Sequence, residues 1–201
     1  MSGQLSLMGF EAPPPAPKKD RLFFALQPSA QACAQISQLS QSLRSAHGVR
    51  SKPIATERLH ITLHHLDDHA GVPAQLVEQA GRAAQRLVCE PFEVVLDHAM
   101  SFHSQRDNFP FVLRTDPGQD AALLTFQRLL GQAMAHEGLG RYVDGRFTPH
   151  VTLTYTPQAL PESVVEPIRW TVREFVLIHS PQGKSQHHVL ARWPLSGAAH
   201  T

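Results

Sequence analysis

The chain has 201 residues, 42% of them hydrophobic, with a formal charge of +1 and a pI near 8.0. That length holds one domain of ordinary size or two tightly joined lobes. The nearly balanced charge excludes a strongly basic nucleic-acid wrapper, though not a protein that grips one RNA end. No apolar run is long enough to cross a membrane, and the N-terminus lacks a signal-peptide core. Cys33 and Cys89 match no metal or redox spacing, so a reduced, cytoplasmic protein is expected, and a monomer is the default.

Taken in order, residues 1–19 close on a proline-rich run that should be an extended, unfolded tail. Within it, QLSLMGF (4–10) has the form of a short docking peptide. RLFFALQP (21–28) is a compact apolar strand closed by proline. A helix follows, with Ser29 as its N-cap, Ala32, Ile36, Leu39, Leu43 and Ala46 at helical spacing, and Gly48 as its end. A polar link leads into an alternating strand at 59–66. Gly71 and Pro73 open a second helix expected to carry Leu76, Val77, Ala80, Ala84, Leu87 and Val88. Residues 91–100 read as a strand, and so do 109–115. A third helix is expected over 119–137, with Leu123, Phe126, Leu130 and Met134 on one stripe. After a polar link comes a second alternating strand, 147–155. Strands at about 170–179 and 186–193 close the chain, and 197–201 should be loose.

The two alternating strands carry nearly the same phrase. Residues 59–66 read LHITLHHL and 147–155 read FTPHVTLTY, each containing His-x-Thr-Leu. Strict alternation puts Leu59, Ile61 and Leu63 on one face and His60, Thr62 and His64 on the other. In the second copy Pro149, Val151 and Leu153 face inward, and Thr148, His150, Thr152 and Thr154 face outward. Each copy thus presents an imidazole and a hydroxyl about 7 Å apart at the backbone. Phe111 follows Phe24 by 87 positions, and His150 follows His60 by 90. Strand, helix, link and His-x-Thr strand recur in the same order, which indicates an internal duplication, roughly 20–108 and 109–196. The expected fold is α+β: two similar lobes with pseudo-twofold symmetry, each a mostly antiparallel sheet with helices on its outer face, around a groove.

The doubled phrase at this spacing resembles the two-histidine (2H) phosphoesterase superfamily. With the RLFFAL opening and the VLARWPL ending, it resembles most the bacterial RNA 2′,3′-cyclic phosphodiesterases, also called 2′-5′ RNA ligases. The resemblance covers roughly residues 20–195. It implies metal-free, ATP-independent opening of a 2′,3′-cyclic phosphate on an RNA end, with no cofactor. His60 and Thr62 fall on the first motif, His150 and Thr152 on the second. By the family pattern the first histidine protonates the leaving 3′ oxygen and the second activates water, giving a 2′-phosphate. A 5′-hydroxyl in place of water would give a 2′-5′ linkage. Many relatives carry a basic residue where this chain has Thr148, and arginine where it has Tyr155.

The residue types suit the chemistry. In-line attack on a phosphodiester needs a proton removed on one side and delivered on the other, and histidine does both near neutral pH. The Thr62 and Thr152 hydroxyls can donate to the phosphate oxygens without adding charge. By alternation Arg58 shares the face of His60 and Arg146 that of His150, so one or both should supply positive charge. His64 shares the groove face as a candidate substrate contact. Phe23, Phe102 and Tyr155 are candidates for stacking on a base. His65 and His69, with His64 if it does not reach the substrate, read as a solvated strand end, and His98, His103, His179, His187 and His188 as surface or satisfied structural residues. Two rival classes remain. One is a metal site built from the many histidines, which chelator sensitivity would reveal. The other is a module that binds RNA ends or nucleotides without turnover. Within the enzymatic reading, a small cyclic nucleotide is the alternative substrate.

Overall fold

The structure, a computed structural model, describes residues 19–104, 108–116 and 118–197. The 4–10 docking peptide lies outside the described residues. The first strand, β1 (Asp20–Leu26), runs into helix α1 (Ala30–Ala46), whose N-cap Ser29 accepts a 3.1 Å hydrogen bond from the Ala32 N–H. Gly48, at φ 62°, turns the chain out of the helix in the left-handed region that favours glycine. The first motif lies at the start of β2 (Ile61–His69). Helix α2 spans Ala74–Gln85 and stops before Leu87 and Val88, so Val88, expected on the helix, is 63% exposed.

Next come β3 (Phe92–Ser101), β4 (Phe109–Arg114), α3 (Ala121–His136) and β5 (His150–Thr156), the last carrying the second motif. The expected strand at 170–179 is two strands. β6 (Ser163–Val172) ends and β7 (Glu174–Pro181) begins around Arg173, before β8 (His188–Pro194). The strands form two four-stranded antiparallel sheets, ordered β2-β1-β7-β8 and β5-β4-β3-β6. The α+β, two-lobed architecture therefore holds, but the expected cut at 108/109 does not separate the lobes. β3 precedes that cut yet pairs with β4 and β6, and the chain returns to the first sheet at Arg173 to supply β7 and β8. The repeat in the sequence and the lobes in space are different divisions of the chain.

Each sheet turns one face to a shared core and the other to the groove. The core side of the first sheet carries Leu22, Phe24, Ile61, Phe175 and Leu177, in one cluster with Leu96, Phe111, Leu113, Val151 and Leu153 of the second. Phe23, Ala25, Val176 and Ile178 form a small separate cluster on the opposite face of the first sheet. Phe126 of α3 links the lobes: its ring lies 5.4 Å from Phe92 in one sheet and 5.2 Å from Phe175 in the other. A fully buried phenyl with partners on both sides leaves a cavity when it is truncated. Phe126→Ala is expected to lower stability by about 3–5 kcal/mol. Because the core is common to both lobes, urea unfolding should remain a single transition, with tryptophan fluorescence and far-UV circular dichroism moving together.

Candidate active site

β2 and β5 are both edge strands, and each is interrupted in the same place. The pairing of β1 with β2 slips between Phe24 and Ala25, whose partners are His64 and Thr62. The pairing of β4 with β5 slips between Phe111 and Val112, whose partners are Thr154 and Thr152. Each slip is a one-residue bulge, at Leu63 and at Leu153, and a bulge reverses the face of every residue beyond it. Strict alternation therefore fails after the threonine in both copies. His64, expected in the groove, is 2% exposed on the core side, its Nε2 2.9 Å from the Gln127 carbonyl. Thr154, expected to face outward, is fully buried and donates to the Lys52 carbonyl at 2.8 Å. His65 and Tyr155, one position further on, line the groove instead. His60 and His64 lie on opposite faces, so they share no metal. Among the described residues no group of three or more His, Cys, Asp or Glu has the geometry to hold a metal ion.

The groove is about 890 Å³ and brings together His60, Thr62, His150 and Thr152 from the two sheets. Both motif histidines are anchored alike. The Nδ1 of His60 is 2.6 Å from the Arg58 carbonyl, and the Nδ1 of His150 is 2.8 Å from the Thr148 carbonyl. In each case Nδ1–H donates to the carbonyl two residues upstream, leaving Nε2 as the free nitrogen. An aromatic ring packs on each imidazole. Phe23 lies 4.9 Å from His60, and Phe102 meets His150 edge-on at 4.8 Å.

The basic groups divide otherwise than expected. Arg58 lines the groove, but Arg146 does not; it is exposed, and its backbone N–H donates to Asp144 at 2.8 Å. Two cations absent from the sequence-based site, Arg21 and Lys52, line the groove as well. Arg21 is gripped by Asp68 through Nε at 2.8 Å and a second nitrogen at 3.1 Å, and Asp68 also accepts from Gln182 at 2.5 Å. Lys52 belongs to the link before the first motif, where the Ile54 N–H donates to the Leu153 carbonyl at 2.7 Å and fastens the link along β5. His187, expected to be a surface or structural residue, lines the groove, its ring 5.0 Å from His60 and 5.6 Å from Phe23. No local signal marks these residues. Arg21, Lys52 and His187 are far apart in sequence, and only the sheet order gathers them.

Electrostatics favour neutral imidazoles in the groove. Burial holds the His60 pKa down to about 4, and His150 and Arg58 push in the same direction. Burial also lowers His150. Among the described residues lining the groove there is no carboxylate to oppose these effects. Negative charge entering the groove would raise both values.

A depressed histidine has a sign consequence for stability. Unfolded, His60 takes up a proton near its ordinary value of 6.5, whereas folded it does so only near 4. Between those values the unfolded chain binds more protons, so stability falls as pH drops through that window. The urea midpoint should decline on acidification from pH 6.5 towards about 4. His60→Phe, which has no proton to bind in either state, should show a smaller decline over the same range.

Residues 28–184 match the sequence model of the 2′-5′ RNA ligase superfamily. No protein in a search of curated sequences matches the chain. Solved structures do. E. coli LigT complexed with 3′-AMP is 25% identical, with 89% of this chain and 98% of that one covered and a TM-score of 0.64. A protein described as a phosphoesterase is 26% identical, with 89% and 99% covered and a TM-score of 0.67. TT0787 of Thermus thermophilus, at 22% identity, with 88% and 98% covered and a TM-score of 0.69, shares the fold. The family match begins just before α1, ends in the turn before β8 and contains both motif strands; the chain belongs to the 2′-5′ RNA ligase superfamily.

Proposed function

We propose that the protein opens 2′,3′-cyclic phosphates at RNA ends to 2′-phosphates, without a metal, using His60 and His150 as an acid–base pair. The observation that carries this reading is the matched anchoring of the two imidazoles. Each donates Nδ1–H to a backbone carbonyl and keeps Nε2 free, and both line one groove with a threonine two residues on. A carbonyl acceptor at Nδ1 lets an imidazole hold protons at both nitrogens, which a proton donor must do.

Water attacks the phosphorus in line with the P–O3′ bond. His150 takes the water proton at Nε2 as the P–O bond forms. P–O3′ breaks, and His60 delivers its Nε2 proton to the departing 3′ oxygen. The phosphate remains on the 2′ oxygen, and the net change is addition of one water. A 5′-hydroxyl in place of water gives a 2′-5′ linkage and no hydrolysis. Thr62 and Thr152 donate to the non-bridging oxygens, and Arg58 adds positive charge from the His60 side. The bound phosphate supplies the negative charge that the groove lining lacks and so draws a proton onto the pair. Charge on His150 disfavours charge on His60, which suits a donor beside an acceptor. The nucleotide bound by E. coli LigT supports a ribose phosphate as the ligand of this groove. Tyr155, 44% exposed and lining the groove, is the residue assigned to stack on a base in this reading.

The deciding experiment is hydrolysis of an RNA oligonucleotide ending in a 2′,3′-cyclic phosphate, with EDTA present. Turnover to a 2′-phosphate is expected, with a bell-shaped pH profile. His60→Ala and His150→Ala should each lose about 10²–10⁴-fold in kcat. Loss of turnover on adding EDTA, or full activity in either variant, would overturn the reading. Thr62→Val and Thr152→Val should each cost about 10²-fold in kcat. Arg58→Gln should raise KM, whereas Arg146→Gln, outside the groove, should leave both kinetic constants near wild type.

A further inference from the structure

Three imidazoles meet on the floor of the groove around the first motif and across from it, but they are not anchored alike. His60 and His150 each have a carbonyl oxygen at Nδ1. His187 has none. Its Nδ1 is buried and finds no hydrogen-bond partner among the described residues. A second proton on His187 would thus place an unpaired N–H in a buried position, which costs the full desolvation of that group. The groups around it add to that cost. They are His60, Arg58 and His188, all cationic when charged, and the Phe23 ring, with no carboxylate among them. Burial and these neighbours hold the His187 pKa down to about 3.

The tautomer follows from the same geometry. With Nδ1 sealed off, a proton there would be wasted, and Nε2 would present only a lone pair to an electron-rich ligand. The proton belongs on Nε2, which makes His187 a neutral donor beside His60. The loop that carries it is tied at its start. The Gln182 N–H donates to the Lys19 carbonyl at 2.9 Å, the Gln182 side chain donates to Asp68 at 2.5 Å, and the Lys184 N–H donates to the Pro181 carbonyl at 3.2 Å. Ser185, at φ 51°, takes the left-handed conformation two residues before His187.

We propose that His187 is a substrate-binding residue, which stays neutral through the reaction and holds the ribose phosphate on the His60 side by one hydrogen bond from Nε2. The proposal rests on reading the groove as a ribose-phosphate site. It also gives the two otherwise equivalent halves of the groove a difference. Each motif histidine has an aromatic ring and a carbonyl acceptor, and the His60 side adds a third imidazole and Arg58. A donor on one side only favours one orientation of the cyclic phosphate, and hence which oxygen departs.

The test compares His187→Phe, which keeps a ring and loses the donor, with His187→Gln, which keeps a neutral donor. On an oligonucleotide ending in a 2′,3′-cyclic phosphate, His187→Phe should raise KM about ten-fold. It should also release some 3′-phosphate beside the 2′-phosphate. Both limbs of the pH profile should stay in place, and His187→Gln should recover most of the loss. A missing or displaced limb would make His187 an acid–base group and overturn the proposal, as would a His187→Phe enzyme indistinguishable from wild type. Calorimetric binding of 3′-AMP separates this from the functional reading. If no cyclic phosphate is hydrolysed but 3′-AMP binds about ten-fold more weakly to His187→Phe than to wild type, the functional reading fails and the His187 assignment stands. Equal binding by both, or no binding by the wild type, overturns the assignment. His187→Ala replaces the phenyl variant if thermal melting shows that the larger ring disturbs the loop.

Discussion

Everything in the groove depends on a single constraint at the backbone: each motif strand must serve the core with most of its length and the groove with two short stretches. A regular strand cannot do this where the useful residues fall out of phase. The bulges at Leu63 and Leu153 solve the phase problem in the same way in both lobes. Before the bulge the histidine and threonine face the groove. The bulge buries two successive residues, Leu63 with His64 and Leu153 with Thr154. Beyond it His65 and Tyr155 return to the groove. The edge position of both strands makes this possible, since an edge strand has only one ladder to disturb. The exposed side of β5 is fastened by the 52–55 link, so a connecting segment becomes part of the groove wall.

The second constraint is electrostatic. Arg21, Lys52 and Arg58 bring formal positive charge, the imidazoles bring more if protonated, and none of the described lining residues is acidic. Asp68 is the nearby exception, and its oxygens are directed at Arg21 and Gln182. Such a lining disfavours protons on the imidazoles, and an anion in the groove favours them. In the proposed mechanism this couples protonation of His60 and His150 to the arrival of substrate. In that mechanism the carbonyl acceptors at Arg58 and Thr148 set His60 and His150 apart from His187, whose Nδ1 has no such acceptor among the described residues.

The relation between repeat and lobe is also informative. The order strand, helix, motif strand occurs as β1-α1-β2 and again as β4-α3-β5, yet each finished sheet needs four strands. The remaining strands come from elsewhere in the chain: β3 and β6 complete one sheet, β7 and β8 the other. The chain therefore crosses between lobes twice, and Phe126 and Phe175 meet at the seam. The lobes are not separable domains, and their relative position is set by a shared apolar core. The proposed mechanism requires that rigidity, since in it the proton donor and acceptor stay on opposite sides of one phosphorus.

Much of this was legible in the residues. Apolar alternation and helical spacing located β1, α1, α3 and both motif strands, because those patterns record which face of an element is dry. Two copies of His-x-Thr at matched offsets marked the pair that the sheets bring together in one groove, since residues two apart on a strand share a face whatever the fold around them. Beyond the threonine that reasoning stopped. His64 and Thr154 changed sides because a bulge is a property of two paired strands, and the pairing was not in either strand alone. Arg146 left the site and Arg21, Lys52 and His187 entered it for the same reason. The division of the expected 170–179 strand between two sheets depended on where each half found a partner. The sequence by itself determined the chemistry available and the local periods that present it. The tertiary structure decided register and neighbourhood, because these depend on contacts between segments far apart in the chain, which no local pattern encodes.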